Sequence, residues 1–293
     1  EEEGYGYWVG GMSSVYSPED EKFYLYHRVR SPLGKGRGKK CRIAESEDGI
    51  NFDVIWAAEA SDFRGNSVEV GSLIKDPRTG NWRLYISYED SQLNTWRVDL
   101  VEAKEVEDLD PVHHRTVLQP SEYGVDWIKD PRVYIIGGLY HAFVCVPAKE
   151  TYEETEDGRR RPVGGDATAL ATSPDGRYWK NLQYVFEPGK GAQGERGWLR
   201  ARINSILYLP PAYIAMIDMG ETFYDNYEEK CGLALSHDLR NWERITTDGP
   251  WIEGKHGNIR YIDALRVGDE IFYYYEYTRE DQSHELRVKK KSL

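Results

Sequence analysis

One nine-residue pattern occurs three times in the chain without gaps. Residues 44–52 read AESEDGINF, 171–179 read ATSPDGRYW and 234–242 read ALSHDLRNW. The shared form is A-x-S-x-D-x-x-x-aromatic. Each copy follows an apolar, strand-like run: CRI, ATAL and CGLAL. Asp-Gly or Asp-Leu supplies a tight turn, and the aromatic opens the next strand. A hairpin that recurs in this way points to an array of similar sheets.

A second shared unit lies upstream of each hairpin. It is a short apolar strand, a polar turn and an aromatic-rich strand. It occurs five times, and its first strands align through Ser13, Gly71, Asp130, Asn204 and Asp263. The intervals are 58, 59, 74 and 59 residues. The long interval contains residues 151–165 (TYEETEDGRRRPVGG), a charged stretch that reads as an insertion without strand pattern. Five units of four short strands predict an all-β fold, a five-bladed β-propeller of antiparallel blades. One domain is expected over 1–293, with blades at about 10–60, 69–119, 126–187, 200–248 and 259–293 plus 4–9. The last unit has three strands of its own, and GYGYWV (4–9) is expected to add the fourth and close the ring. Helical periodicity is nearly absent, with one possible turn in the acidic run 102–110.

Loop lengths separate the two faces of such a ring. Turns after the first and third strands are tight. Connections on the opposite face are long, and long loops on a rigid scaffold are where binding residues gather. The first strands begin on that face.

Composition excludes several classes. The formal net charge of -12 argues against a nucleic-acid partner. No run approaches the ~20 apolar residues of a membrane helix. The three cysteines (Cys41, Cys145, Cys231) lie in strand-like runs, and Cys41 and Cys231 share a column of the repeat. They read as buried free thiols of a cytoplasmic protein. No metal spacing, phosphate loop or cofactor motif is present, so neither metal nor cofactor is expected.

The aligned column places Asp130, Asp263 and Asn204 at the mouth of a central channel. Strand alternation adds the positions two residues earlier, among them Glu69, Ile128, Arg202 and Tyr261. Carboxylates crowded around one cation suit glycoside cleavage, which needs one protonated and one ionised carboxyl. Asp130, Asp263 and Glu69 are therefore the candidate catalytic residues. Arg202, Asn204 and Tyr261 are candidate substrate ligands, with Asp126 as an alternative to Glu69. Arg28 and Arg30 precede the basic loop SPLGKGRGKK and form a candidate anion site. Glu89, Glu150, Glu221 and Glu276 lie at or just beyond second-strand ends and are candidates for the general acid. KDPR occurs at 75–78 and again at 129–132, so repeat position carries this assignment and the tetrapeptide does not.

LYHRVRSP…KKCRIAESEDGINF resembles the first blade of the β-mannoside phosphorylases of glycoside hydrolase family 130. DWIKDPRVYIIGGLYHAF resembles the Asp-Pro blade of the family 43 arabinofuranosidases and xylosidases. The resemblance spans nearly the whole chain and implies a propeller that acts on sugars. Asp130 and Glu69 are the residues it carries over. The first strand GGMSSVY lacks the family 43 aspartate, RARINSIL lacks its E-G-P, and VEVGSL lacks the second acid of the family 130 E-D-P-R. The expected function is a glycoside hydrolase, inverting, acting on a small oligosaccharide or terminal sugar. A phosphorylase and a non-catalytic sugar-binding propeller are the alternatives.

Overall fold

The computed structural model describes residues 3–149, 152–154, 160–162, 165–189, 200–220 and 229–293. These residues form an all-β protein with three four-stranded antiparallel sheets that resemble propeller blades, one seven-stranded sheet that joins the last three strands of the chain to the first four, and a two-stranded hairpin. The first sheet contains β1 (Trp8–Ser17), β2 (Lys22–Arg30), β3 (Gly38–Ser46) and β4 (Asp53–Glu59). The second contains β5 (Gly65–Lys75), β6 (Trp82–Asp90), β7 (Thr95–Ala103) and β8 (Arg115–Leu118). β9 (Lys129–Ile136) and β10 (Leu139–Pro147) lead to a small hairpin, β11 (Tyr152–Glu154) and β12 (Arg160–Pro162), before β13 (Asp166–Ser173) and β14 (Lys180–Phe186) complete the third. The fourth is β15 (Arg202–Leu209), β16 (Ala212–Met219), β17 (Lys230–Ser236) and β18 (Glu243–Arg244). The chain ends with β19 (Ile259–Val267), β20 (Glu270–Thr278) and β21 (His284–Ser292).

The repeated nonapeptide is a turn with its own hydrogen bonds. Ser46 Oγ accepts the Gly49 N–H at 3.0 Å, and Asp48 Oδ1 accepts those of Ile50 and Asn51 at 2.8 Å. Ser173 with Asp175 and Ser236 with Asp238 repeat this arrangement. The residue after each Asp has a left-handed backbone, with φ of 71° at Gly49, 73° at Gly176 and 66° at Leu239. Glycine adopts that conformation freely, and Leu239 does so at a cost. The closing aromatic packs on the preceding sheet. Trp179 lies edge-on to Tyr85 at 5.9 Å, and Trp242 to Phe143 at 6.2 Å. Phe52 meets Tyr274 at 5.8 Å, so the first sheet packs in the same way on the last three strands. The motif thus fixes a turn and also seats one sheet on its neighbour, which is why it recurs.

The five inner strands are tied to one another by hydrogen bonds that use side chains. The Leu73 N–H donates to Ser13 Oγ at 3.1 Å, and that of Val133 to Ser72 Oγ at 2.9 Å. The Ile206 N–H donates to the Tyr134 hydroxyl at 2.8 Å, and that of Ala264 to Ser205 Oγ at 3.1 Å. Asp263 Oδ2 accepts both the N–H and the hydroxyl of Ser14 at 2.6 Å. These bonds link β1 to β5, β5 to β9, β9 to β15, β15 to β19 and β19 to β1.

Three expectations need correction. Residues 4–7 form no strand. β1 starts at Trp8 and meets β21 through one parallel pair, Trp8 with His284, supported by the His284 N–H donating to Tyr7 O at 3.0 Å. The insertion holds the β11–β12 hairpin, whose register sets Glu153 opposite Arg161. The acidic run 102–110 holds bends and turns and no helix. The three cysteines are buried and free.

Candidate active site

Every inner strand carries a β-bulge at the same level. Two residues oppose one at 11–12, 69–70, 130–131 and 261–262, and Asn204 is the extra residue of β15. The backbone is left-handed at Gly11 (φ 61°), Asp130 (φ 53°) and Tyr261 (φ 51°). A non-glycine residue held this way stores about 1–3 kcal/mol of strain, and bulges often re-aim a side chain next to a functional site. The structural column is therefore Gly11, Glu69, Asp130, Asn204 and Tyr261.

This register corrects the sequence alignment. Asp263 pairs with Tyr274 beyond the bulge, at the level of Ser13, Gly71 and Arg132, and does not share Asp130's column. Its partners are Ser14 and, electrostatically, Arg132. Ile128 is packed in the apolar core. A bulge inserts a residue without changing the hydrophobic pattern, so counting by twos across it misassigns the faces.

The bulge column opens onto a buried ionic cluster. Arg28 Nε lies 2.8 Å from Glu69 Oε2, and Arg30 and Arg37 approach the other carboxylate oxygen at 4.0 and 3.6 Å. Arg202 reaches Asp130 Oδ2 at 3.3 Å, Asp218 Oδ2 at 2.9 Å and Glu229 Oε1 at 3.0 Å. Arg260 donates to Glu276 Oε1 through Nε at 2.9 Å and Nη2 at 2.7 Å, and through Nη1 to Glu229. His284 Nδ1 lies 2.6 Å from Glu276 Oε1, and its ring stacks on Trp8 at 4.6 Å. Tyr261 sits among three guanidinium groups, with Arg202, Arg260 and Arg28 carbons 4.8, 5.1 and 5.5 Å from its ring centre.

The carboxyls differ in their hold on protons. Burial alone raises Glu69, yet Arg28, Arg30, Arg37 and Lys129 together bring it down to about 2. Glu229 is likewise brought down to about 2, against burial, by Arg260 and Arg202. Arg260 and the His284 bond hold Glu276 well below the usual carboxylate range despite burial. Asp218 moves upward, because burial, reinforced by Glu229, outweighs Arg202. Burial pushes the Tyr261 phenol up to about 12. Burial also lowers His284, against the pull of Glu276.

Several buried atoms here have no hydrogen-bond partner among the described residues. They include Asp130 Oδ1, Asn204 Nδ2 and Glu276 Oε2. Buried polar atoms are satisfied in nearly every native protein, and each one left bare costs about 1–3 kcal/mol.

Of the residues singled out in the sequence, Glu69, Asp130, Arg202, Asn204, Tyr261, Arg28, Arg30 and Glu276 line the column or the cluster around it. Asp263 and Asp126 do not join them. Asp126 is exposed in the loop before β9. Glu89 is half-buried at the end of β6. Glu150 and Glu221 lie outside the described residues. Asp218, Glu229 and Arg260 were missed. The available signal was a charge inside a strand-like run, as in AYIAMID and IRYIDAL.

The fold is shared with solved structures of glycoside hydrolases and a glycoside phosphorylase. No family model matches the chain, and no curated protein matches it in sequence. Solved structures do match in fold. A thermostable family-43 glycoside hydrolase superposes with a TM-score of 0.70 at 13% identity, covering 97% of this chain and 89% of that one. The RS223 β-xylosidase gives 0.66 at 9% identity over 97% and 92%. A β-1,2-mannobiose phosphorylase from Listeria innocua, in complex with β-1,2-mannobiose, gives 0.64 at 14% identity over 99% and 90%.

Proposed function

We propose that the chain is a single five-bladed propeller over residues 1–293 and a glycoside hydrolase whose sugar site is the bulge column. The cyclic belt of hydrogen bonds supports the ring. The pairing of bare atoms carries the functional reading. Among the described residues Asp130 Oδ1 lacks a donor and Asn204 Nδ2 lacks an acceptor, both at the same level of the channel. A sugar hydroxyl donates and accepts, so it satisfies both kinds of atom at once.

Two carboxyls of the column take different tasks. Glu69, kept ionised by its cations, serves as the base that activates water. Asp130 presents its free oxygen to the sugar as the acid–base group opposite Glu69. The two sit on different strands, each held by its own arginine, and that arrangement favours inversion. Inverting pairs stand about 6.5–9.5 Å apart to admit a water. Arg202 and Tyr261 form the wall that holds the sugar ring.

A second reading draws on one observation. Four cations (Arg28, Arg30, Arg37 and Lys129) act on the one carboxylate of Glu69. That excess positive charge suits a phosphate co-substrate, which makes the enzyme a phosphorylase. The experiment is turnover of a panel of aryl glycosides and oligosaccharides with and without phosphate. Free sugar released without phosphate supports the hydrolase. Strict phosphate dependence with sugar-phosphate product supports the phosphorylase. No turnover together with calorimetric sugar binding overturns both in favour of a binding protein.

A further inference from the structure

The inner strands have a second end, and it also holds a cavity. On the side of the tight turns, a half-open cavity of about 440 Å³ is lined by residues that include Ser13, Ser72, Lys75, Arg132, Tyr134 and Asp263. None of these belongs to the ionic cluster around Glu69 and Asp130.

Most polar groups in this cavity already have a task. Lys75 is bound by Ser17, Asp20 and Glu19. The Tyr134 hydroxyl accepts the Ile206 N–H. Asp263 Oδ2 takes both hydrogens that Ser14 offers. Three donors are left over. Arg132 is 2% exposed and gives Nη1 to Met12 O, while its Nη2 has no partner. Ser13 and Ser72 each accept a backbone N–H at Oγ. Among the described residues neither hydroxyl donates to anything. A buried guanidinium and two buried hydroxyls with unspent hydrogens have no acceptor among the described residues.

We propose that this far mouth is a binding site for a small anion, an inorganic oxyanion or the carboxylate of a small organic acid, held by Arg132 with Ser13 and Ser72. Charge-assisted hydrogen bonds are the strong kind and favour ionised acceptors. The cavity volume admits a whole small organic acid, so the anionic group lies at the floor and the remainder faces the turns. Asp263 is the one carboxylate in the wall, and it opposes the ligand's charge. The inference is independent of the glycosidase reading, because it uses no residue of the bulge column.

The experiment is calorimetric titration of the purified protein with sodium sulfate and, separately, sodium citrate at constant ionic strength. Selenate-soaked crystals locate the site. The expected result is one saturable site and an anomalous peak within hydrogen-bonding distance of Arg132 Nη2. Arg132→Gln should weaken binding about tenfold or more, the loss of one charge-assisted bond. Asp263→Asn should tighten it several-fold, and Arg28→Lys in the other cluster should leave it unchanged. Tighter sulfate than citrate binding identifies a free oxyanion, and the reverse identifies an organic acid. If Arg132→Gln fails to fold, the wild-type soak decides. Selenate found only at Arg28 or Arg202, or at no site, overturns the proposal.

Discussion

Arg28 and Glu69 meet at 2.8 Å with both side chains removed from solvent, one from a second strand and one from the bulge of the neighbouring inner strand. This pair joins the first sheet to the second at the level of the candidate site. Arg28 is also the leading cation among the four that keep Glu69 ionised against burial.

The pair makes stability depend on acid. Glu69 and Glu229 have folded values near 2, below the ~4.3 of an unperturbed glutamate. A carboxyl depressed by folding contributes stability above its unfolded value. That contribution disappears as pH falls through the folded value. The expected loss is about 3 kcal/mol per group between roughly pH 5 and pH 2. Urea unfolding at a series of pH values should show this decline, and Glu69→Gln should show a shallower one.

Removing Arg28 should be more severe than removing Glu69 at neutral pH. Arg28→Met leaves a buried carboxylate facing a smaller set of cations, and breaking such a pair costs about 3–5 kcal/mol. Chemical denaturation of the two single variants should rank them in that order. Equal midpoints would show that Arg30, Arg37 and Lys129 hold Glu69 without Arg28.

Gly10 should accept no side chain. A Cβ there would lie 1.6 Å from Glu276 Oε2. Gly10→Ala must therefore displace Glu276, which holds Arg260 and His284. The expected cost exceeds about 3 kcal/mol, as for other broken buried ion pairs. Thermal unfolding measures it, and a wild-type midpoint would contradict the packing described here.

Trp179 tests how the sheets are seated. It meets Tyr85 of the second sheet as well as Tyr140 of its own. Trp179→Ala should cost about 3–5 kcal/mol. Trp242→Ala should act similarly through Phe143. Denaturant midpoints provide the measurement.

Much of this was legible in the chain. The S-x-D turn and its aromatic announce themselves, because the Ser and Asp side chains make bonds that no other short residue makes as well. The inner strands could be found from their apolar runs. The site column could not be read by counting. Each bulge slips the register silently, so Asp263 fell beside Asp130 on paper and lies past the bulge in the protein. Asp218, Glu229 and Arg260 matter through partners far away in sequence. Glu229 sits 27 residues from Arg202, and nothing local marks that encounter.

The most direct test of the central claim is the hydrolysis rate of Asp130→Asn on whichever glycoside the wild type turns over. Asn tolerates the left-handed backbone of this position, so the fold should survive, and circular dichroism checks it. The account predicts a loss of about 10²–10⁴-fold in kcat, the typical share of a general acid or base. A folded Asp130→Asn protein with wild-type kcat would contradict it.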